Sequence, residues 1–224
     1  NQTSIGAVTA TDAEDDNLTF TVSGSELAIT SAGVLTFASA PDYETKTSYI
    51  ATITASDGSN STTQDITVNV TNLNDIAPEF SSDATFSAAE NQTAIDTVTA
   101  TDADGDSVTF TVSGSELAIT SAGVLTFKTA PDYETKSTYT ATVTASDGTN
   151  TTTQDITVNV TNVNDNSPVF TSSATFSAAE NQTAIDTVTA NDADGGSVTF
   201  TVSGSELAIT SAGVLTFATA PDYE

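Results

Sequence analysis

The side chains in this sequence that could do chemistry are carboxylates, and most of them recur with a period of 90 residues. They stand in a Glu after a strand-like run, in Asp-Ala-Asp or Asp-Ala-Glu, in Pro-Asp-Tyr-Glu, in Ala-Ser-Asp-Gly, and in connectors such as TNVNDNSPVF (Thr161–Phe170). Oxygen-bearing side chains at repeated positions are typical ligands of hard divalent cations. The recurring acids are Glu90, Glu180, Asp12, Glu14, Asp102, Asp104, Asp192, Asp194, Asp42, Glu44, Asp132, Glu134, Asp222, Glu224, Asp57, Asp147, Asp75 and Asp165.

Composition excludes several other kinds of chemistry. The 224 residues carry 30 acidic side chains against three Lys, for a net charge of −27, and include no His and no Cys. This charge disfavours nucleic acid and anionic membrane surfaces as partners. Without His and Cys, the usual zinc ligand sets and the Ser-His or Cys-His nucleophile pairs cannot be built. We therefore expect no enzyme, no nucleic-acid partner, no signal peptide and no membrane insertion in this segment.

Internal repetition sets the domain organisation. Residues 91–134 and 181–224 differ only at Thr101/Asn191, Asp106/Gly196 and Lys128/Ala218, so the chain holds about two and a half copies of one module. Runs with an alternation of period two, rich in Val, Ile, Thr and Phe, predict strands over Ala84–Glu90, Ile95–Asp102, Ser107–Gly114, Ser137–Asp147 and Thr151–Asn162. LAIT and VLTF around Ser-Ala-Gly predict a hairpin that turns at Gly123. About seven strands in roughly ninety residues indicate an all-β fold of tandem sandwiches.

The repeat frame predicts three segments. Residues 1–76 are interpreted as a repeat that lacks its first strand, 77–166 as a complete repeat, and 167–224 as a repeat cut before its last two strands. This frame suggests an excerpt from a longer array.

A sandwich places the acidic motifs at its two ends. Because the connector joins the exit end of one repeat to the opposite end of the next, we expect Asp132, Glu134, Asp165, Asp192 and Asp194 to converge on one junction. Two carboxylates about 5 Å apart repel by roughly 3 kcal/mol at an effective dielectric constant near 20, so such a cluster needs cations. Ca²⁺, which takes roughly six to eight oxygens in flexible geometry, suits the site better than Mg²⁺.

These motifs together resemble tandem cadherin repeats over essentially the whole chain. The family's linker pattern Asp-x-Asn-Asp-Asn-x-Pro is similar to NVNDNSP (Asn162–Pro168), with Asn162 in place of the first Asp. The family's Asp-Arg-Glu is similar to Asp-Tyr-Glu here, its Asp-x-Asp to Asp-Ala-Asp, its first-strand Glu to Glu90, and its late Asp to Asp147. The resemblance implies seven-stranded Greek-key, immunoglobulin-like sandwiches in a linear array, with about three Ca²⁺ at each complete junction.

Carried over by position, the resemblance implies a metal site at each connector. The second junction would use Glu90, Asp132, Glu134, Asn164, Asp165, the carbonyls of Val163 and Asn166, and Asp192 and Asp194 of the next repeat. The first junction would use Asp42, Glu44, Asn74, Asp75, the carbonyl of Ile76, and Asp102, Asp104 and Asp147. The same motif positions elsewhere, Asp12, Glu14, Asp57 and Glu180, are also expected to be metal ligands. Asn72 and Asn162, in place of Asp, are expected to reduce the local charge.

Two functions stay open. Near-identical copies favour a spacer: an extender of a large, bacterial cell-surface adhesin, extracellular and stiffened by Ca²⁺ between neighbouring repeats of the chain. The alternative is a binding module in which the same sandwiches, with their Thr-rich strands, contact carbohydrate or a like cadherin domain on another cell. Glycoside hydrolysis is disfavoured because each carboxylate pair recurs in every repeat beside no aromatic platform.

Overall fold

The computed structural model describes residues 2–14 and 16–224, and this part of the chain forms strands but no helix. Among these residues no helical segment could therefore span a bilayer. The strands are β1 (Ser4–Ala7), β2 (Thr19–Val22), β3 (Leu27–Ile29), β4 (Val34–Phe37), β5 (Ser48–Ser56), β6 (Ser61–Asn69), β7 (Glu79–Phe80), β8 (Thr85–Ala89), β9 (Ala94–Thr97), β10 (Ala100–Thr101), β11 (Thr109–Val112), β12 (Leu117–Ile119), β13 (Val124–Phe127), β14 (Thr138–Ser146), β15 (Thr151–Thr161), β16 (Val169–Phe170), β17 (Ala184–Thr187), β18 (Ala190–Asn191), β19 (Leu207–Ile209) and β20 (Val214–Phe217).

The chain divides into two compact units. Unit 1 comprises Asn1–Glu79, Ala100–Thr109 and Ala145–Thr152, and unit 2 comprises Phe80–Thr99, Phe110–Thr144 and Thr153–Glu224. The middle repeat contributes segments to both units.

In unit 1, two antiparallel sheets pack their apolar faces together. One sheet has the order β1-β4-β3 and the other β2-β5-β6. Leu35 and Phe37 of the first sheet share one buried cluster with Phe20 and Ile53 of the second. The apolar positions of β5 alternate with more exposed Thr residues, as expected for a strand with one face against the core. Unit 1 is therefore a sandwich with a single core between its sheets.

Unit 2 contains the fullest set of strands. One sheet has the order β11-β14-β15-β8 and another the order β12-β13-β9. If β7 and β8 count as one interrupted strand, and β9 and β10 as another, the middle repeat has the predicted seven. Its core includes Phe86, Leu117, Leu125 and Val158, all at most 7% exposed. The third repeat adds the sheets β17-β20-β19 and β16-β18 to this unit.

The predicted hairpin at Gly123 is confirmed. β12 pairs antiparallel with β13 in the register Leu117↔Phe127. Gly123 has a φ of +89°, and a Cβ at this residue would stand 2.1 Å from the carbonyl oxygen of Val98. Glycine is required there for both its conformation and its lack of a side chain.

The single strand predicted over Ile95–Asp102 is instead divided into β9 and β10. The interruption falls at Val98, which is fully buried and whose amide donates to the carbonyl of Gly123 at 2.8 Å. The residue after Val98 is Thr99, and its carbonyl accepts hydrogen bonds from the amides of Ser81 and Ser82. Within the predicted strand, the backbone therefore changes its hydrogen-bonding partner from Gly123 to Ser81 and Ser82. The alternation of apolar and polar residues does not reveal this change.

Candidate metal centre

The second connector is brought to the middle repeat by one parallel strand pair. β8 runs parallel to β15, with Ala89 opposite Thr161. Both strands therefore end at the same edge, so Glu90, which follows β8, lies beside the connector that follows β15. The amide of Glu90 continues this pairing by donating to the carbonyl of Thr161.

Glu90 is the one buried charged or polar side chain among the described residues, with 3% of its surface exposed. One of its oxygens, Oε2, accepts from the amide of Tyr133 at 2.8 Å. The other, Oε1, accepts from the amide of Val163 at 2.7 Å. A buried carboxylate needs such donors to offset its loss of hydration. Glu90 thus joins the Pro-Asp-Tyr-Glu loop to the connector.

Three further carboxylates lie close to that of Glu90. Glu90, Glu134, Asp165 and Asp194 each offer an oxygen, and these oxygens all lie within 4.8 Å of one another. The group is called the second cluster below. Asn91, which has a φ of +63°, lies next to the cluster and donates its side-chain nitrogen Nδ2 to Asp165 Oδ2. The cluster combines acids from four separate motifs, and the sequence predicted the convergence of Glu134, Asp165 and Asp194.

The Asp-Ala-Asp loop of the third repeat is fastened to the connector by backbone hydrogen bonds. Asp194 Oδ2 accepts from the amides of Asp165 at 3.1 Å and Asn166 at 2.7 Å. Asn162 donates its side-chain nitrogen to the carbonyl of Asp194 at 3.0 Å. Asp192 Oδ1 accepts from the amide of Asp194 and so shapes the loop, although Asp192 lies outside the second cluster.

The electrostatics of the second cluster differ from one carboxyl to the next. Desolvation, together with the nearby charges of Glu90 and Asp194, raises the pKa of Glu134 above its ordinary value. Desolvation also acts to raise the pKa of Asp194, but hydrogen bonds from the backbone and side chain of Asn166 outweigh it and lower that pKa.

The first connector forms a smaller version of the same arrangement. Glu44, Asp75 and Asp104 have carboxylate oxygens within 4.8 Å of one another, and this group is called the first cluster below. Asp104 Oδ2 accepts from the amides of Asp75 at 3.1 Å and Ile76 at 2.9 Å. Asn72 donates to the carbonyl of Asp104 at 2.7 Å. Desolvation and the proximity of Asp104 raise the pKa of Glu44.

Asp147 is linked to the first connector through the side chain of Asn150. Its Oδ1 accepts from the amides of Thr149 and Asn150, both at 2.6 Å. Asn150 donates its side-chain nitrogen to Asn74 Oδ1 at 2.7 Å and to Asp147 Oδ2 at 3.2 Å. Desolvation opposes a low pKa for Asp147, but the hydrogen bonds from Asn150 and Thr149 prevail and lower it. Asp147 and Asn74 are thus brought together, with an Asn between them.

Several predicted ligands lie outside both clusters. Asp132 accepts from the hydroxyl of Thr135 at 2.8 Å and from its amide at 3.2 Å, and the hydroxyl bond is the main reason why its pKa is lowered. Asp42 makes the same bonds to Thr45. The remaining residues have separate environments: Asp12 accepts from the amide of Glu14, Asp57 from those of Ser59 and Asn60, Glu180 from that of Tyr223, and Asp102 from that of Asp106.

The structure also assigns roles to asparagines that sequence reasoning left out or interpreted differently. Asn91 and Asn150 were not among the predicted residues, and each donates a side-chain amide into a connector. Asn72 and Asn162 were interpreted only as missing charges, yet each fastens a connector to the next Asp-Ala-Asp loop. In both contacts the Asn precedes its Asp partner by 32 residues, and this equal spacing was the sequence signal that could have revealed them.

Comparison with known proteins gives consistent matches. A model described as "Bacterial Ig domain" matches residues 74–161. Protocadherin-like wing polarity protein stan of Drosophila melanogaster is 34% identical over 199 residues, covering 76% of this chain and 6% of that protein. Human Protocadherin Fat 1 is 36% identical over 149 residues, covering 58% of this chain and 3% of that protein. The chain thus spans only a few per cent of the length of these curated relatives.

Solved structures agree at the level of the fold. Mouse cadherin-23 EC22–24 superposes with a TM-score of 0.74 at 24% identity, covering 99% of this chain and 83% of that one. Human CDH23 EC21–23 gives a TM-score of 0.74 at 22% identity, covering 99% of this chain and 85% of that one. The 34% identity to the protocadherin-like protein over 76% of this chain shows that the chain belongs to the cadherin-repeat family, whose fold is the all-β, Greek-key, immunoglobulin-like sandwich.

Proposed function

We propose that the two clusters bind Ca²⁺ and that the bound ions stiffen the connectors between repeats. The observation that carries this proposal is the convergence of four carboxylates within 4.8 Å in the second cluster. In the described part of the chain, Lys46 is paired with Glu26 and Lys136 with Glu116, so both of these Lys side chains form ion pairs with acids outside the clusters. Like charges held this closely repel one another unless a cation neutralises them.

The donor atoms fit Ca²⁺. They are carboxylate, amide and carbonyl oxygens, which are the ligands that Ca²⁺ takes in irregular geometry. In the Asp-Ala-Asp loop that contributes Asp104 to the first cluster, Asp104 Oδ1 and Asp102 Oδ2 are buried and have no hydrogen-bond partner. Buried acceptors without a donor are costly, and a cation would satisfy them. These orphaned oxygens support a metal at the first connector as well.

The proposed ligands extend beyond the clusters to neighbouring oxygens. In addition to the cluster residues, they are Asp132, Asp192, Asn164 and the carbonyls of Val163 and Asn166 at the second junction, and Asp42, Asp102, Asp147, Asn74 and the carbonyl of Ile76 at the first. About three ions at a complete junction would give a near balance with its carboxylates. Asp12, Glu14, Asp57 and Glu180 would serve junctions with further repeats.

The array itself is proposed to act as an extender of a larger, bacterial, extracellular cell-surface adhesin. Its frame would be repeats at 1–76, 77–166 and 167–224. The matching bacterial domain model supports a bacterial source. The likeness to Protocadherin Gamma B2 extracellular cadherin domains 3–6 supports an extracellular location. Near-identical repeats suit a spacer, whose length and stiffness matter more than distinct recognition by each copy.

The first experiment is a calorimetric Ca²⁺ titration of the chain after treatment with EGTA, combined with small-angle scattering in both conditions. We expect binding with a Kd of roughly 10⁻⁴–10⁻³ M and a longer, less variable particle when Ca²⁺ is present. Glu134→Gln/Asp165→Asn should abolish part of the binding, whereas Asp96→Asn, at an exposed strand position, should leave it intact. Absence of Ca²⁺ uptake at millimolar concentration would disprove the proposal.

A second candidate is homophilic association of like repeats. Its support is the likeness to a protocadherin gammaB7 EC3–6 structure described as a cis-dimer, with a TM-score of 0.76 and 24% identity, covering 95% of this chain and 63% of that one. Bead aggregation with immobilised chain, with and without Ca²⁺, tests it. A glycan array run in parallel distinguishes carbohydrate binding from self-association. Aggregation without any change in scattering on Ca²⁺ addition would favour the binding module over the spacer.

A further inference from the structure

The side chain of Asn166 lies in the middle of the second cluster. Its nitrogen Nδ2 is 2.9 Å from Asp165 Oδ1, 3.1 Å from Glu134 Oε2 and 3.2 Å from Asp194 Oδ1. The nitrogen end of the amide must face these carboxylates, because its oxygen end would be repelled by all three. The amide therefore brings two N–H donors to the point where the negative charges converge.

The first cluster lacks this donor because Ile76 occupies the equivalent place. The backbone frame is the same: Asp104 Oδ2 accepts from the amides of Asp75 and Ile76, just as Asp194 Oδ2 accepts from those of Asp165 and Asn166. The other oxygen differs. Asp104 Oδ1 is buried and has no partner, whereas Asp194 Oδ1 accepts from Asn166. One side chain thus accounts for a paired oxygen in one cluster and an unpaired oxygen in the other.

We propose that the Asn166 amide competes with the cation at the second junction, so that the residue at 76 or 166 sets the cation affinity of its junction. The inference rests on the proposed function, since it assumes that the clusters bind Ca²⁺. Without a cation, the N–H groups offset part of the repulsion and hold the cluster together. A cation that enters must displace these N–H groups, so the free energy of their hydrogen bonds reduces the free energy of cation binding. At the first cluster, the side chain of Ile76 offers no N–H donor that a cation would have to displace.

The chain supplies matched controls in the reciprocal exchanges Asn166→Ile and Ile76→Asn. Each is made in a background with the other cluster silenced by isosteric changes: Glu44→Gln/Asp75→Asn for the first cluster, or Glu134→Gln/Asp165→Asn for the second. Ca²⁺ affinity is measured by calorimetry. The melting temperature in EGTA is measured on the otherwise unchanged chain, where it reports the cation-free state.

Asn166→Ile should tighten Ca²⁺ binding at the second junction by about tenfold, the equivalent of 1.4 kcal/mol, which is near the lower end of the range for one hydrogen bond to a charged group. It should also lower the melting temperature in EGTA, because the three carboxylates lose their donor. Ile76→Asn should do the opposite at the first junction on both measurements.

Three results would overturn the inference, and they are distinguishable. If Asn166→Ile leaves the affinity unchanged, the amide does not compete with the cation. If it weakens the affinity, Asn166 contributes a ligand through its side-chain oxygen. If neither silenced background binds Ca²⁺ at all, the proposed function itself fails and the competition model falls with it.

Discussion

Replacing Glu90 by Gln should destabilise the middle repeat even when no metal is present. The carboxylate is 3% exposed and accepts one backbone N–H on each oxygen, from Tyr133 at 2.8 Å and from Val163 at 2.7 Å. Gln has nearly the same shape but only one acceptor oxygen. The NH₂ group of Gln replaces the second acceptor oxygen. One of the two backbone N–H groups would therefore lose its partner and face another donor.

The magnitude follows from the bonds that are lost. A hydrogen bond to a charged group contributes about 1.5–3 kcal/mol, and a buried donor left unsatisfied costs about 1–3 kcal/mol. The lost bonds alone would lower the free energy of unfolding by about 2–4 kcal/mol in Glu90→Gln, and by about 3–5 kcal/mol in Glu90→Ala, which leaves both amides unpaired and creates a void. Both variants also remove one negative charge from the cluster, and this relief of repulsion offsets part of the loss. Domains are typically stable by only about 5–15 kcal/mol, so either change should be easy to measure.

The assay is urea denaturation in EGTA followed by circular dichroism, together with hydrogen exchange of the Tyr133 and Val163 amides. Glu180→Gln is the matched control, because this residue holds the same position in the next repeat but is exposed and, among the described residues, accepts one hydrogen bond, from the amide of Tyr223 at 3.0 Å. We expect an effect below about 1 kcal/mol there. Equal destabilisation by the two variants, or unchanged protection of both amides in Glu90→Gln, would refute the anchoring role of Glu90.

Three further predictions concern the metal, the turn and pH. Asp165→Ala should reduce the rise in melting temperature caused by Ca²⁺ more than Asp96→Ala does; equal effects would contradict the site assignment. Gly123→Ala should cost more than about 3 kcal/mol in denaturation assays, because its Cβ would meet a backbone carbonyl at 2.1 Å, whereas Gly114→Ala, with φ +82° and open space, should cost about 1–2 kcal/mol. The pKa of Glu134 is raised above its ordinary value of 4.5. In the pH range between that ordinary pKa and the raised pKa of the folded state, the folded state keeps a proton that the unfolded state has lost. Stability in EGTA should therefore decrease as pH rises through this window, while Ca²⁺ affinity increases, and an opposite sign in titrations across pH would argue against close carboxylates.

The sequence predicts the elements of the fold better than their pairing. Period-two runs locate β14 and β15 nearly to the residue, and the turn glycine locates the β12–β13 hairpin, because local alternation and backbone conformation determine these features. The break between β9 and β10 was missed because it depends on long-range partners of Val98 and Thr99. Hydrogen bonding between distant segments leaves no signature in the local pattern.

The candidate site divides in the same way. Recurring charge, spacing and order predicted that Glu134, Asp165 and Asp194 converge, and their oxygens lie within 4.8 Å of one another, whereas Asp132 and Asp192 lie outside this cluster. Their role as metal ligands stays a prediction. The hydrogen-bond network around these acids was not predicted, because an Asn donates or accepts according to its neighbours in space. Thus Asn72 and Asn162, interpreted from the sequence as lost charges, serve in the structure as donors that hold the connectors.

The two junctions show where a repetitive protein can vary its properties. The acidic loops of the repeats are nearly invariant along the chain, and residues 91–134 and 181–224 differ at only three positions. The connectors differ much more: TNLNDIAPEF at Thr71–Phe80 against TNVNDNSPVF at Thr161–Phe170. Because the connector supplies both a cluster carboxylate and the residue at 76 or 166, a single substitution there changes one junction without disturbing the core of any sandwich. Uniform repeats with individual connectors would let each junction respond to its own range of cation concentration, so that stiffness is set joint by joint.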